Sequence, residues 1–360
     1  MKDAPPAASQ GGRGFAFPVY GEGAVCGAND GRGSPAKEPL VLIPDLDAPP
    51  GLHRTAQRLS FAGEAFATTW RVRLCADPAR FRGPDALRAA CAARLARIDA
   101  EMSPYRKDSD LTRFNRAAAG EFVALPALTM QVLQGALEIA ALTGGAFDPT
   151  VLAAVELWGF GARAVPEGLP DPVDVAALPR PRWRDLTPGQ GGLIKPHDAG
   201  LDLCGIAKGF AVDELLRLCR AEPGVTATLI EVGGELSGWG VQPDGQPWWV
   251  GIEDTDARAA LCGWAVATSG DGRRAFRHAG RLYSHTIDAA TGAPASSGVA
   301  SATVFDPACW RADALATALI VMGEARALRF ATEHDLPCLL RVRAGGEVRT
   351  RLSPRLESWA

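Results

Sequence analysis

In Gly200–Asp213, which reads G-L-D-L-C-G-I-A-K-G-F-A-V-D, a short apolar run carrying Asp202 gives way at Cys204-Gly205 to a helical pattern. Ile206, Phe210, Leu215, Leu218 and Cys219 give that helix one apolar stripe. Backbone groups in the turn can approach a ligand closely, because Gly205 and Gly209 carry no side chain. Asp202 just before the turn and Lys208 in the first helical turn complete a compact polar cluster.

Short strands follow this segment. T-A-T-L-I-E-V (226–232) runs into the tight turn Gly233-Gly234-Glu235. Trp248 to Ile252, Trp264 to Thr268, Arg281 to Ile287, Val299 to Phe305 and Pro337 to Val342 read as further strands, and Ala312 to Met322 as an apolar helix. Upstream, Phe66 to Cys75 alternates like a strand with one buried face. Pro84 to Met102 is an amphipathic helix stopped by Ser103-Pro104, and Pro126 to Leu142 is a second, ended by Gly144-Gly145. Leu152 to Phe160 continues as a helix, and residues 161–200 form a long Pro/Gly-rich connection. Short strands joined by tight turns, with isolated helices between them, imply an α+β fold with antiparallel or mixed sheets rather than repeated βαβ units. Three regions are expected. Residues 1–57, with apolar patches at Phe15–Tyr20 and Leu40–Ile43, form a poorly ordered or loosely docked extension; residues 58–350 form the main domain; residues 351–360 form a tail.

The composition excludes several classes. With 47% hydrophobic and 22% charged residues the chain is globular, and a net charge of -3 provides no basic field for nucleic acid. The 8 cysteines include no C-x-x-C pair, so they read as buried thiols of a reducing compartment rather than a disulfide framework. No apolar run is long enough to span a membrane. The first residues lack the apolar core of a signal peptide, and the expected location is cytoplasmic. Walker, Rossmann, G-x-S-x-G and zinc spacings are all missing.

Three positions carry chemistry with two readings each. Asp313 and Thr317 are four apart in A-D-A-L-A-T-A-L and share a helix face. Their oxygens suit a hard cation such as Mg2+, or else the Asp serves the helix and the Thr bonds back to its own backbone. His285, after Ser284 at a strand end, is either a proton acceptor or a buried, hydrogen-bonded ring. Tyr105, in the turn-rich stretch Met102–Asn115, lies either against the core or against a planar ligand.

Eight collinear segments carry a resemblance. They are F-A-T-T-W (66–70), M-S-P-Y-R-K-D-S-D-L-T-R-F-N (102–115), G-G-A-F-D-P-T-V (144–151), L-D-L-C-G-I-A-K-G-F-A-V-D (201–213), E-V-G-G-E (231–235), T-S-G-D-G (268–272), Y-S-H-T-I-D-A-A-T-G-A-P (283–294) and A-D-A-L-A-T-A-L (312–319). Together they resemble the FAD:protein FMN transferase (ApbE-like) family, over about residues 59–345. The resemblance implies a ligand site between two packed lobes, FAD as substrate, Mg2+ as cofactor, and transfer of FMN to a Thr or Ser of a target flavoprotein with release of AMP. It implies FAD contacts at Tyr105, Ala146, Phe147, Asp148, Asp202, Lys208 and Ile287, and at Phe66, which stands where the family usually has Met. It further implies metal ligands at the Gly205 carbonyl, Asp313 and Thr317, and His285 as the catalytic base. Cys204 replaces a common Gly, and Ala289 replaces the usual Pro, which predicts a less rigid loop beyond His285. Two alternatives stand beside transfer: a protein that hydrolyses or stores FAD without a target, and an FAD-dependent dehydrogenase. Family members often carry a lipoprotein signal, which leaves a periplasmic location open.

Overall fold

A computed structural model describes residues 39–360 apart from 47, 163–167, 181, 197, 199 and 273; the patch Phe15–Tyr20 lies outside the described residues. The centre is an eight-stranded antiparallel sheet. Its spatial order is Glu347–Leu352, Cys338–Ala344, Val299–Asp306, Trp264–Gly270, Glu235–Trp239, Val225–Val232, Thr68–Ala76, Gln57–Ala65. Side chains alternate between the two faces of a strand, and here both faces are buried. Val72, Ile230, Ala265, Val304 and Leu340 point into the core under the helices. Their neighbours Cys75, Leu229, Val266, Phe305 and Leu339 point into a second core. Continuous apolar runs such as T-A-T-L-I-E-V are the sequence mark of such two-sided burial.

Eight helices are present among the described residues: α1 (Pro84–Met102), α2 (Asp110–Arg116), α3 (Ala127–Leu142), α4 (Leu152–Leu157), α5 (Pro172–Ala177), α6 (Cys204–Ala221), α7 (Cys309–Glu333) and α8 (Pro354–Glu357). The first core lies between α1, α3, α6, α7 and the sheet. The expected α1 is observed to the residue: Leu87, Cys91, Leu95, Ile98 and Met102 form its buried stripe. The second core is roofed by a small sheet of Val41–Leu42, Arg258–Leu261 and Trp248–Gly251. A satellite cluster of Ala154, Val155, Trp158, Phe160 and Ile287 forms the smaller lobe.

Several expectations change. The strand placed at Phe66–Cys75 is the second arm of a hairpin, Gln57–Ala65 with Thr68–Ala76, and Phe66-Ala67 are its two-residue turn. Both turn residues have positive φ, 54° and 55°, a conformation that normally selects Asn or Gly. Within the extension, Leu42 is fully buried and Val41–Leu42 pairs in parallel with Arg258–Ala259, so this part is firmly docked. The tail is also structural. The Trp359 ring packs edge-on against Trp264 and Phe305, and the Ile43 N–H donates to the Trp359 carbonyl at 2.8 Å. The stretch Met102–Asn115 contains α2, whose N-terminus is capped by Ser109 Oγ accepting from the Thr112 N–H. The helix expected at Ala312–Met322 is the first part of α7, which breaks at Gly323 (φ 74°, ψ 166°) and continues to Glu333.

Helices α6 and α7 pack closely. Asp213 of α6 accepts the N–H groups of Cys309 and Trp310, both at 3.0 Å, at the start of α7. Asp313 of α7 returns the bond, its Oδ2 accepting from the Gly209 N–H at 2.9 Å. A Cβ on Gly209 would lie 2.7 Å from Trp310 Cα, backbone that cannot move aside. Gly209→Ala is expected to destabilise the protein by about 1–3 kcal/mol in a denaturant titration. Gly251→Ala, where a Cβ meets nothing within 4 Å, is expected to be near neutral in the same assay.

Candidate active site

Three distant segments meet at the N-terminus of α6. The Asn115 amide grips Leu201 at both backbone groups, donating to its carbonyl at 2.9 Å and accepting from its N–H at 2.8 Å. The Asp202 N–H donates to the Pro149 carbonyl at 2.8 Å, and Val151 bridges Gly200 in parallel. Asp202 Oδ1 accepts from the Cys204 N–H at 2.8 Å and so caps the turn. Asp148 is a turn-former: its Oδ1 accepts from Thr150 N–H (2.8 Å) and Oγ1 (2.6 Å), and burial raises its carboxyl above the usual range. Ala146 and Phe147 are buried beside it. Burial, and then the neighbouring Asp202, pushes the Cys204 thiol well up, which favours its neutral form.

Two of the residues expected to hold a cation, Gly205 and Thr317, adjoin, and Asp313 lies one helical turn before Thr317. A Cβ on Gly205 would lie 3.3 Å from Thr317 Oγ1 and 3.2 Å from the Phe147 ring, so Gly205 backbone, Thr317 and Phe147 converge on one point. Thr317 Oγ1 is 3.1 Å from Ser269 Oγ and 3.4 Å from the Asp313 carbonyl. In a regular helix the Gly209 N–H pairs with the Gly205 carbonyl four residues back. Here that N–H also faces Asp313 Oδ2, at 2.9 Å. Among the described residues no three His, Cys, Asp or Glu side chains form a metal cage. One buried carboxylate, a hydroxyl and a carbonyl instead fit Mg2+, which takes few protein ligands and completes its shell with phosphate and water oxygens.

Lys208 forms an ion pair with Glu235, whose side chain is 1% exposed, while the lysine side chain is 34% exposed. An ammonium has three donors, so it can reach an anion while anchored. Glu235 follows Gly233-Gly234, and the Gly233 N–H donates to the Thr69 carbonyl at 3.0 Å. That bond sets the Glu235 turn beside the Phe66-Ala67 turn, and Phe66 packs on the main core. Neither the role of Glu235 nor that of Asp213 was legible from spacing, although both stand inside quoted motifs.

The satellite lobe carries His285. Its ring meets Phe160 edge-on at 6.4 Å, and its Nδ1 lies 3.2 Å from the Arg274 carbonyl. Burial, and then the charges of Arg274 and Lys208, hold the imidazole below its usual pKa against the opposing pull of its bond to the Arg274 carbonyl and of Asp202. Tyr105 donates to the Phe160 carbonyl at 3.0 Å, and burial raises its phenol. Ile287 is buried with Trp158 and Phe160, so it joins the other candidates through that cluster. The loop after His285 is held well despite Ala289. Asp288 Oδ1 accepts from Ala290 N–H at 2.9 Å, its carbonyl accepts from Gly292 N–H at 2.8 Å, and the Trp158 indole donates to the Gly292 carbonyl at 2.9 Å. Arg274 carries no signal within S-G-D-G-R-R, because the groups its side chain binds, the Tyr105 hydroxyl and the Phe160 carbonyl, lie on other segments. A cleft of about 910 Å³ lined by Arg220, Trp239 and Trp264 opens near the other end of α6, and none of the candidate residues lines it.

Comparison with known proteins finds one family. A family model described as the ApbE family matches residues 66–340. A relative from Vibrio cholerae named FAD:protein FMN transferase is 34% identical over 313 residues, covering 84% of this chain and 93% of the relative. One of the same name from Escherichia coli K12 is 32% identical over 315 residues, covering 82% and 88%. The solved apo structure of Pseudomonas stutzeri flavinyl transferase ApbE superposes with a TM-score of 0.79 at 32% identity, covering 84% of this chain and 97% of that one.

The donor set has a consequence that needs no turnover to test. Asp313→Asn keeps an acceptor for the Gly209 N–H but removes the charge. Mg2+ with FAD is expected to raise the melting temperature of the parent protein and not that of the variant. An equal rise in both would remove Asp313 from the metal site.

Proposed function

This chain belongs to the ApbE family, and from that premise we propose that it moves the FMN half of FAD onto a Thr or Ser hydroxyl of a target flavoprotein. The reading requires Mg2+ and releases AMP. Its main support is the convergence, around the N-terminus of α6, of an oxygen donor set for a hard cation, a partly exposed lysine and a histidine that burial keeps neutral. A bound Mg2+, held by Asp313, Thr317 and the Gly205 carbonyl, supplies Lewis-acid neutralisation of the pyrophosphate charge.

The chain's own residues account for the rest. The α6 N-terminus and Lys208 attract the phosphates, the first through its dipole and the second as a point charge. Glu235 keeps the lysine from following the leaving group. His285 accepts the proton of the incoming hydroxyl as its oxygen bonds to the flavin-side phosphorus. The P–O bond to the adenylate phosphate breaks, and its electron pair leaves with AMP. Asp202, Tyr105, Ala146, Phe147, Asp148, Phe66 and Ile287 form the surroundings assigned to FAD. Water in place of the hydroxyl would give FMN and AMP, so exclusion of water decides between transfer and hydrolysis.

Incubation of the protein with FAD, Mg2+ and acceptor peptides bearing Thr or Ser tests the reading by mass spectrometry. An FMN adduct with stoichiometric AMP is expected. FMN and AMP without an adduct would identify a hydrolase, and neither product would leave a binding protein. His285→Gln is expected to retain FAD binding, followed by flavin fluorescence, and to lose transfer by at least about 100-fold. Retained transfer would remove His285 as the base. Because the neutral ring is the active form and its pKa is depressed, the rate should rise with pH through a midpoint below about 6.5 and then level off. A limb centred at or above that value would contradict the assignment.

A further inference from the structure

We infer that Arg274 is a positioning residue for His285, fixing the tautomer in which Nε2 is the proton acceptor. The inference rests on the reading of His285 as the base. It starts from hydrogen-bond directions that leave no choice. A guanidinium only donates. Arg274 donates from one terminal nitrogen to the Tyr105 hydroxyl at 2.5 Å and from the other to the Phe160 carbonyl at 2.9 Å. The phenol, having accepted, gives its own proton to the same Phe160 carbonyl at 3.0 Å. The Arg274 guanidinium also lies 5.4 Å from the Tyr105 ring centroid. An arginine that is exposed overall is thus held at its tip by three groups.

Its backbone faces the other way. The Arg274 carbonyl accepts the His285 N–H at 3.0 Å, extending the ladder of Ala275–His278 with Arg281–Ser284 by one step. The same oxygen lies 3.2 Å from His285 Nδ1. A carbonyl only accepts, so Nδ1 carries the proton and the lone pair stays on Nε2. Phe160 limits the ring from the side, 6.4 Å away at 66°, and its carbonyl is the anchor shared by Arg274 and Tyr105. Tyr105 in turn stands in a loop pinned by Ser109, whose Oγ donates to the Ser103 carbonyl at 2.7 Å, and by Thr112, whose Oγ1 donates to the Arg106 carbonyl at 2.7 Å. The orientation of the base is thereby set from a loop about 180 residues upstream, through one arginine. The charged and titratable groups acting on His285 are Arg274, Lys208 and Asp202, and those next to its support are Tyr105 and Cys204.

Two variants release the clamp differently. Arg274→Met removes the guanidinium, and Tyr105→Phe keeps the ring but removes the hydroxyl. In 15N spectra of the histidine side chains, with His285→Gln supplying the assignment, the parent protein should show only the Nδ1–H form of His285. Both variants should show a mixture of tautomers, with kcat for FMN transfer reduced roughly 10- to 100-fold. KM for FAD should change far less than kcat, and Arg274→Lys should restore only part of the rate, since one ammonium does not span both acceptors with a planar fork. An unchanged single tautomer in both folded variants would overturn the inference, whatever the rates do. Mixed tautomers with full activity would also overturn it. If His285→Gln keeps transferring FMN while Arg274→Met still mixes the tautomers, the base assignment fails and not the clamp.

Discussion

The site depends on two carboxylates that accept backbone N–H groups of each other's helices. Asp213 on α6 takes the first N–H groups of α7, and Asp313 on α7 takes an N–H of α6. Desolvation pushes the Asp213 carboxyl up to about 7, with Asp306 and Asp313 adding to the rise while the two N–H bonds oppose it. Burying acids is costly unless they are fully bonded, and these bonds fix how the helices slide and rotate against each other. Gly209 permits the close approach. Once the crossing is fixed, Thr317 has to stand over Gly205, one helical turn beyond Asp313. The approach of Thr317 to Gly205 is a by-product of helix packing.

The candidate residues are divided between two supports. Asp313, Thr317, Lys208 and Glu235 belong to the main sheet and its helices, with fully buried neighbours such as Leu203 and Ile206. His285 belongs to the satellite lobe, where Phe160, Phe276, Tyr283 and Trp158 form a run of stacked rings. Hydrogen bonds through Arg274, Tyr105 and Phe160 join the satellite to the loop before α2. Under the proposed function, the acceptor hydroxyl would reach His285 where these two units meet.

Local patterns made α1 and α6 readable, because a periodic stripe, a proline stop and a glycine turn are all contained in the segment itself. The hairpin before residue 68 was not readable. Phe66-Ala67 occupies a turn that normally announces itself with Asn-Gly, and its strain is supported by the neighbouring Gly233-Gly234 turn. The docked Leu42 and the buried Trp359 stand among turn-like residues, and only the partner surface across the sheet explains them. Within the site, Asp313, Thr317, His285 and Lys208 were visible as chemistry on motifs. Glu235, Arg274 and Asn115 act by reaching another segment, and that information exists only after folding.

The bond between Ile43 and Trp359 also orders events during synthesis. The roof strand Val41–Leu42 emerges from the ribosome early, yet its sheet partners are residues 258–259, and its neighbour accepts at residue 359. The face carrying Cys75, Ala227 and Leu229 is therefore fully covered only when segments about 300 residues apart in sequence have met, a long-range closure of the kind that slows folding.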